Sequence, residues 1–145
     1  MRLWHIDLIP YLPKKQLVAQ WRELNSIFKD QPKHILINYI YNYNKSYLLN
    51  YTQAVIRELY NRNYKIKSLE NYNKYFSINK SFGIERFAEH NYDYLEICFY
   101  NLKEKYIRGQ KDFTEDGWKK LKTFFIEEQN SHLFQFDCGE ESFDE

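Results

Sequence analysis

The chain has 145 residues and weighs 18.0 kDa, one domain's worth of sequence and enough to bury a core without disulfides or a metal. Its 43% hydrophobic and 28% charged residues exclude extended disorder, and no run of about 18 apolar residues is present to span a membrane. All 21 basic side chains, but only 15 of the 20 acids, lie in residues 1–136, so a net charge of +1 hides a mildly basic body and an acidic end, Asp137 to Glu145.

Two cysteines, Cys98 and Cys138, cannot build a disulfide scaffold, and a reducing cytoplasmic location suits them. The opening MRLWHIDLIPYLPKK is too short in apolar residues for a secretory leader. Aromatics reach 19% while Ala, Gly and Pro are scarce, a bias that an AT-rich genome produces without any functional demand.

Pro10 and Pro13 bracket the entry to a first helix, with Pro13 suited to its first turn. Leu17, Trp21, Leu24 and Phe28 then recur at spacings of four, three and four, one helical face. Gln16, Gln20 and Glu23 fall along one border of that stripe and Arg22 on the far side. After Pro32, His34 to Tyr43 reads as a short helix or a strand. Tyr47 to about Asn63 is a second helix, through Leu48, Thr52, Val55 and Leu59. Residues 64–89 are polar and irregular, read as turns with room for one short helix. A third long helix runs from about Asn91 to Ile107 through Leu95, Cys98, Phe99 and Leu102, and Gly109 is placed to end it. Thr114 reads as the N-cap of a last helix, with Trp118, Leu121 and Phe125 facing inward. The expected fold is a single compact all-α domain, residues 1–136, of about four helices. Its N-terminal segment is extended against the first helix, and 137–145 form a mobile, solvated acidic tail.

Chemical motifs are few. His5, His34, His90 and His132 are scattered and the cysteines lie forty residues apart, so no metal site is expected. Four glycines cannot make a phosphate-cradling loop, and no nucleophile elbow is present. Read alone, Glu23 is a helix-surface acid free to pair with Lys29.

The segment from Met1 to Phe28 carries a more specific pattern: Gln16-Leu17, Ala19, and the run Trp21-Arg22-Glu23-Leu24 followed by Phe28. It resembles the opening of the pyrimidine-dimer DNA glycosylases of the phage endonuclease V type. Ile56-Arg57-Glu58-Leu59 through Lys67, and more weakly His90 and Leu102 to Lys105, resemble later patches of that family. Met-Arg-Leu-Trp-His, the Leu-Ile-Pro-x-Leu-Pro run and Lys33-His34 are closest to its bacterial branch. The resemblance extends over roughly residues 1–108.

The resemblance implies a DNA glycosylase with abasic-site lyase activity, needing no metal or organic cofactor and acting as a monomer on duplex DNA. Its nucleophile is the chain's own α-amine, here that of Met1, since the bulky Arg2 disfavours removal of Met1. Such an amine, with an ordinary pKa of about 7.7–8, is partly neutral at neutral pH. Glu23 matches the family's carboxylate, which stabilises the cationic sugar and relays protons. Arg2 and Arg22 match phosphate-gripping arginines, Lys15 and Lys33 are further candidates for DNA phosphate, and His5, His34 and His90 are candidates to line the site. The family's second arginine, three positions after the glutamate, is Ser26 here, and residues 110–145 have no counterpart. The alternative is a noncatalytic module that binds nucleic acid or protein on the same helices.

Overall fold

A computed structural model describes the backbone of residues 1–143 and the side chains of residues 1–135; the charges of the acidic segment 137–145 lie outside the described side chains. The described residues form five α-helices: α1 (Lys14–Asp30), α2 (Lys45–Asn61), α3 (Glu70–Phe76), α4 (Tyr92–Ile107) and α5 (Glu115–Phe143). Two 3-10 helices, Ile6–Tyr11 and Asn38–Asn42, complete an all-α domain.

Local chemistry accounts for the boundaries. Pro13 is the N-cap of α1 rather than its first residue, with an extended backbone, and Gln31 ends the helix in the left-handed region ahead of Pro32. Asn44 caps α2 through Ser46 N, and Asn91 caps α4 through Tyr94 N, each at 3.0 Å. Thr114 Oγ1 accepts from Gly117 N at 2.9 Å and opens α5. Gly109 follows α4 with φ +78°, where a side chain would be strained. The ambiguous stretch 34–43 resolves into a turn and a 3-10 helix. Part of 64–89 folds into the short α3 because Phe28 of α1 offers it an aromatic seat: Phe76 and Tyr75 lie 5.2 and 5.4 Å from its ring.

The apolar stripe of α1, Leu17, Leu24, Ile27 and Phe28, is buried against α2 and α3. α2 contributes Leu48, Tyr51, Val55 and Leu59 to the same core. The second half of the molecule is an antiparallel pair. Tyr92, Phe99 and Tyr106 of α4 recur every seven residues and meet His132, Phe125 and Trp118 of α5, which recur every seven residues in the opposite sense. The three ring pairs stack at 3.9, 4.0 and 4.4 Å with interplanar angles of 9°, 5° and 11°. Tyr11 stacks on Phe124 at 4.6 Å and ties α5 to the first 3-10 helix.

Between these halves runs the N-terminal segment. Leu3, Trp4 and His5 are buried, and with no sheet or helix to join, their backbone groups must find partners elsewhere. They find side chains. The Trp4 N–H donates to Gln20, the Trp4 carbonyl accepts from Tyr51, the Leu3 carbonyl accepts from Tyr94, and the Ile6 N–H donates to His90.

The aromatic pairing predicts an asymmetric tolerance along α5. Phe125→Ala, which empties the middle stack, should cost about 3–5 kcal/mol. Leu133→Ala, at an exposed position of the same helix, should stay within about 0.5 kcal/mol. Urea unfolding followed by circular dichroism separates the two; equal losses would refute a role for the stacks in holding α5.

Candidate active site

The site begins with Gln20. It stands on the border of the α1 stripe, yet it is 1% exposed, a costly place for a carboxamide unless every polar position is used. All four are used. Its Oε1 accepts from Trp4 N at 2.8 Å and faces the Tyr51 hydroxyl at 3.0 Å; its Nε2 lies 3.2 Å from both the Arg2 carbonyl and Glu23 Oε2 and donates to each. The Tyr51 hydroxyl also reaches the Trp4 carbonyl at 2.6 Å, and its single proton is shared between the two acceptors. One side chain thus ties two residues of the terminal segment to a carboxylate one turn further along α1.

Met1 and Glu23 consequently line the same cleft, of about 260 Å³ and open to solvent, together with Arg2, Trp4, Gln16, Ala19, Gln20, Leu36, Asn101 and Lys105. Met1 is 38% exposed at its mouth. Partial burial pushes the Glu23 carboxyl above its ordinary range, opposed by the positive charge of the chain's amine, by the Arg2 backbone N–H, by the Gln20 amide and by His34. Cleft cations come from two directions: Arg2 from the terminal segment and Lys105 from α4. The Arg2 guanidinium also lies 5.9 Å from the Trp4 ring centroid and 6.0 Å from that of Tyr94.

The other sequence candidates fall in different places. Arg22 lies in a larger groove, of about 760 Å³, between α1, the end of α2 and residues 64–71; its charged lining is wholly basic, with Lys29, Lys65 and Lys67. Lys15 is exposed, and Lys33 rests 3.9 Å from the centroid of the Tyr41 ring. His34 is exposed in the turn that follows α1. His5 and His90 are buried beneath the terminal segment and are not among the cleft's lining residues. Burial lowers the His90 pKa to about 3, with His5 and Arg86 adding to the effect. Neutral His90 therefore accepts from the Ile6 N–H at Nδ1 and donates from Nε2 to the Tyr39 hydroxyl, 2.7 Å away. Burial likewise pushes the Cys98 thiol up, which makes it a poor nucleophile. Among the described residues no cluster of three or more His, Cys, Asp and Glu could hold a metal ion, and no helix is long and apolar enough to cross a membrane.

Residues 1–71 match the family model described as pyrimidine dimer DNA glycosylase. The match takes in the terminal segment, α1 and α2, and with them Met1, Arg2, Gln20, Glu23 and Tyr51. It stops short of the wider resemblance, so His90, Asn101 and Lys105 lie beyond it. No curated protein and no solved structure matches the chain.

Two substitutions test this geometry. Gln20→Ala leaves the Trp4 N–H without its buried acceptor and should cost about 3 kcal/mol. Glu23→Gln should act in the opposite sense. A carboxyl whose pKa is raised on folding binds its proton more tightly in the native state, so its ionisation opposes folding. That cost is absent below about pH 4.5, grows as pH rises and is complete above the folded pKa. Glu23→Gln should therefore melt at or above the wild-type temperature at pH 7, with the gap closing toward pH 4. A melting temperature at pH 7 clearly below wild type would mean that the carboxylate is a net stabiliser and the reading of its surroundings is wrong.

Proposed function

We propose that the chain is a DNA glycosylase with abasic-site lyase activity, using its own α-amine as nucleophile. The observation that carries this reading is the shared cleft of Met1 and Glu23, both of which lie within the segment that matches the glycosylase family model. An amine and a carboxylate lining one cleft with the cations Arg2 and Lys105 suit attack on a sugar flanked by phosphates.

The neutral amine of Met1 places its lone pair on C1′ of the deoxyribose as the bond from C1′ to the base breaks. The base leaves with the electron pair and takes up a proton. Opening of the sugar ring then gives a protonated imine between the amine and C1′. Loss of a proton from C2′ expels the 3′ phosphate by β-elimination, and water releases the enzyme by hydrolysing the imine. Glu23 accepts the proton that the amine must shed, faces the cationic sugar, and serves as base in the elimination. Arg2 and Lys105 receive phosphates in the cleft, while Arg22, Lys15 and Lys33 act further along the duplex. Drawing the sugar into the cleft requires its nucleotide to leave the base stack. A pyrimidine dimer is the lesion class that the family description suggests.

Borohydride reduction tests the chemistry directly. Incubation with abasic-site duplex DNA should give a covalent adduct whose DNA maps to the Met1 nitrogen by mass spectrometry. Extending the N-terminus by two residues should abolish trapping. Glu23→Gln should lower it about 100-fold or more while DNA affinity is kept or rises. An adduct on a lysine would take the nucleophile's role from the chain's α-amine, and no adduct with DNA that the protein binds would replace this reading with the noncatalytic binding module.

A further inference from the structure

The turn His34–Leu36 stands at the rim of the cleft. Leu36 is one of the residues that line the cleft with Met1 and Glu23. Between His34 and Leu36, Ile35 is 85% exposed. A lone exposed isoleucine is ordinary, but this one is held in place. His34 N donates to Asn38 Oδ1 at 2.7 Å, and Leu36 N donates to His34 Nδ1 at 3.1 Å. Ile37 N and Asn38 N both donate to the His34 carbonyl at 2.9 Å, and Ile37 is fully buried beneath the turn. On the other flank Tyr41 donates to the Pro32 carbonyl at 2.8 Å, with Lys33 over its ring. A β-branched side chain on so constrained a backbone has few rotamers. The fold spends these hydrogen bonds on a stiff turn that aims one aliphatic side chain into solvent beside the amine and the carboxylate.

We propose that Ile35 is a wedge that enters the base stack of duplex DNA at the step from which a nucleotide is drawn into the cleft. The inference rests on DNA being the partner of the cleft. Withdrawing one nucleotide leaves a slot about one base thick, roughly 3.4 Å along the strand. A single branched aliphatic side chain fills such a slot, and apolar side chains inserted between base steps are a known device for holding a duplex bent. A protein partner would need a broad apolar patch, on the scale of about 1,000 Å² of buried surface. Here the two residues before Ile35 are Lys33 and His34, a cation and an imidazole, which suit phosphates on either side of the slot.

The test uses duplex DNA with 2-aminopurine next to an uncleavable abasic-site analogue, whose fluorescence rises when the base is unstacked. The full chain should raise it several-fold. Ile35→Ala, which removes only exposed atoms, should bind with similar affinity and leave the fluorescence near that of free duplex. Ile35→Leu should restore most of the rise. No rise with wild type, or an equal rise with Ile35→Ala, overturns the proposal. A rise that depends on Ile35 in a protein that never traps on borohydride keeps the wedge and discards the glycosylase chemistry, so the two failures are distinct. In a protein that does trap, Ile35→Ala should slow adduct formation on duplex and leave it unchanged on single-stranded abasic DNA, where there is no stack to open.

Discussion

The molecule depends on where the backbone polar groups of residues 2–6 go. An extended segment threaded through a helical core has no ladder to join, so most of the partners its backbone finds are side chains, while the His5 carbonyl accepts from Leu8 N. Gln20, Tyr51, Tyr94 and His90 supply them, one from α1, one from α2, one from α4 and one from just ahead of α4. Four parts of the chain thereby converge on five residues. Gln20 alone also reaches a carboxylate, and this brings the start of the chain to Glu23. The half-buried Glu23 carboxyl is unfavourable by itself, with its pKa raised by burial, and the satisfied network around it holds it in place.

The division of labour between the two halves follows. The segment that matches the glycosylase family model ends at residue 71 and supplies the amine, the carboxylate and the clamp. The remaining chain adds Asn101 and Lys105 of α4 to the lining of the cleft. α4 is in turn fixed by α5 through three stacked ring pairs at heptad spacing. α5 thus works from behind, on the position of Lys105. The aromatic excess of the sequence has a structural use here, whatever its genomic origin.

The helices were legible because their signals are local. The stripe Leu17, Trp21, Leu24, Phe28 and the cap Thr114 need no knowledge of the fold. Glu23 was legible only through resemblance, since its spacing on α1 is that of any surface acid. Gln20 was visible as a border residue and nothing more: periodicity reports where apolar side chains go and is silent on a polar one whose burial is repaid by distant partners. Tyr51 was lost for the same reason, hidden in an excess of tyrosines. Lys105 fell within a weakly matching patch, and its place in the cleft depends on how α4 packs beside the terminal segment, which no local pattern reports. Periodicity placed Arg22 on the far side of the helix; the groove it lines is also lined by Trp21 of the stripe and Leu59 of α2.

The central claim of the proposed function is that the chain's amine, in the cleft it shares with Glu23, lies close enough to act on that carboxylate. A carbon-detected NMR titration of the Glu23 side chain tests it, comparing the free N-terminus with the acetylated one. The account predicts a Glu23 pKa above the ordinary 4.5 in the free protein and a further rise on acetylation, because the opposing positive charge is removed while the burial remains. A Glu23 pKa that acetylation leaves unchanged would contradict it, since no amine would then be close enough to act on the carboxylate.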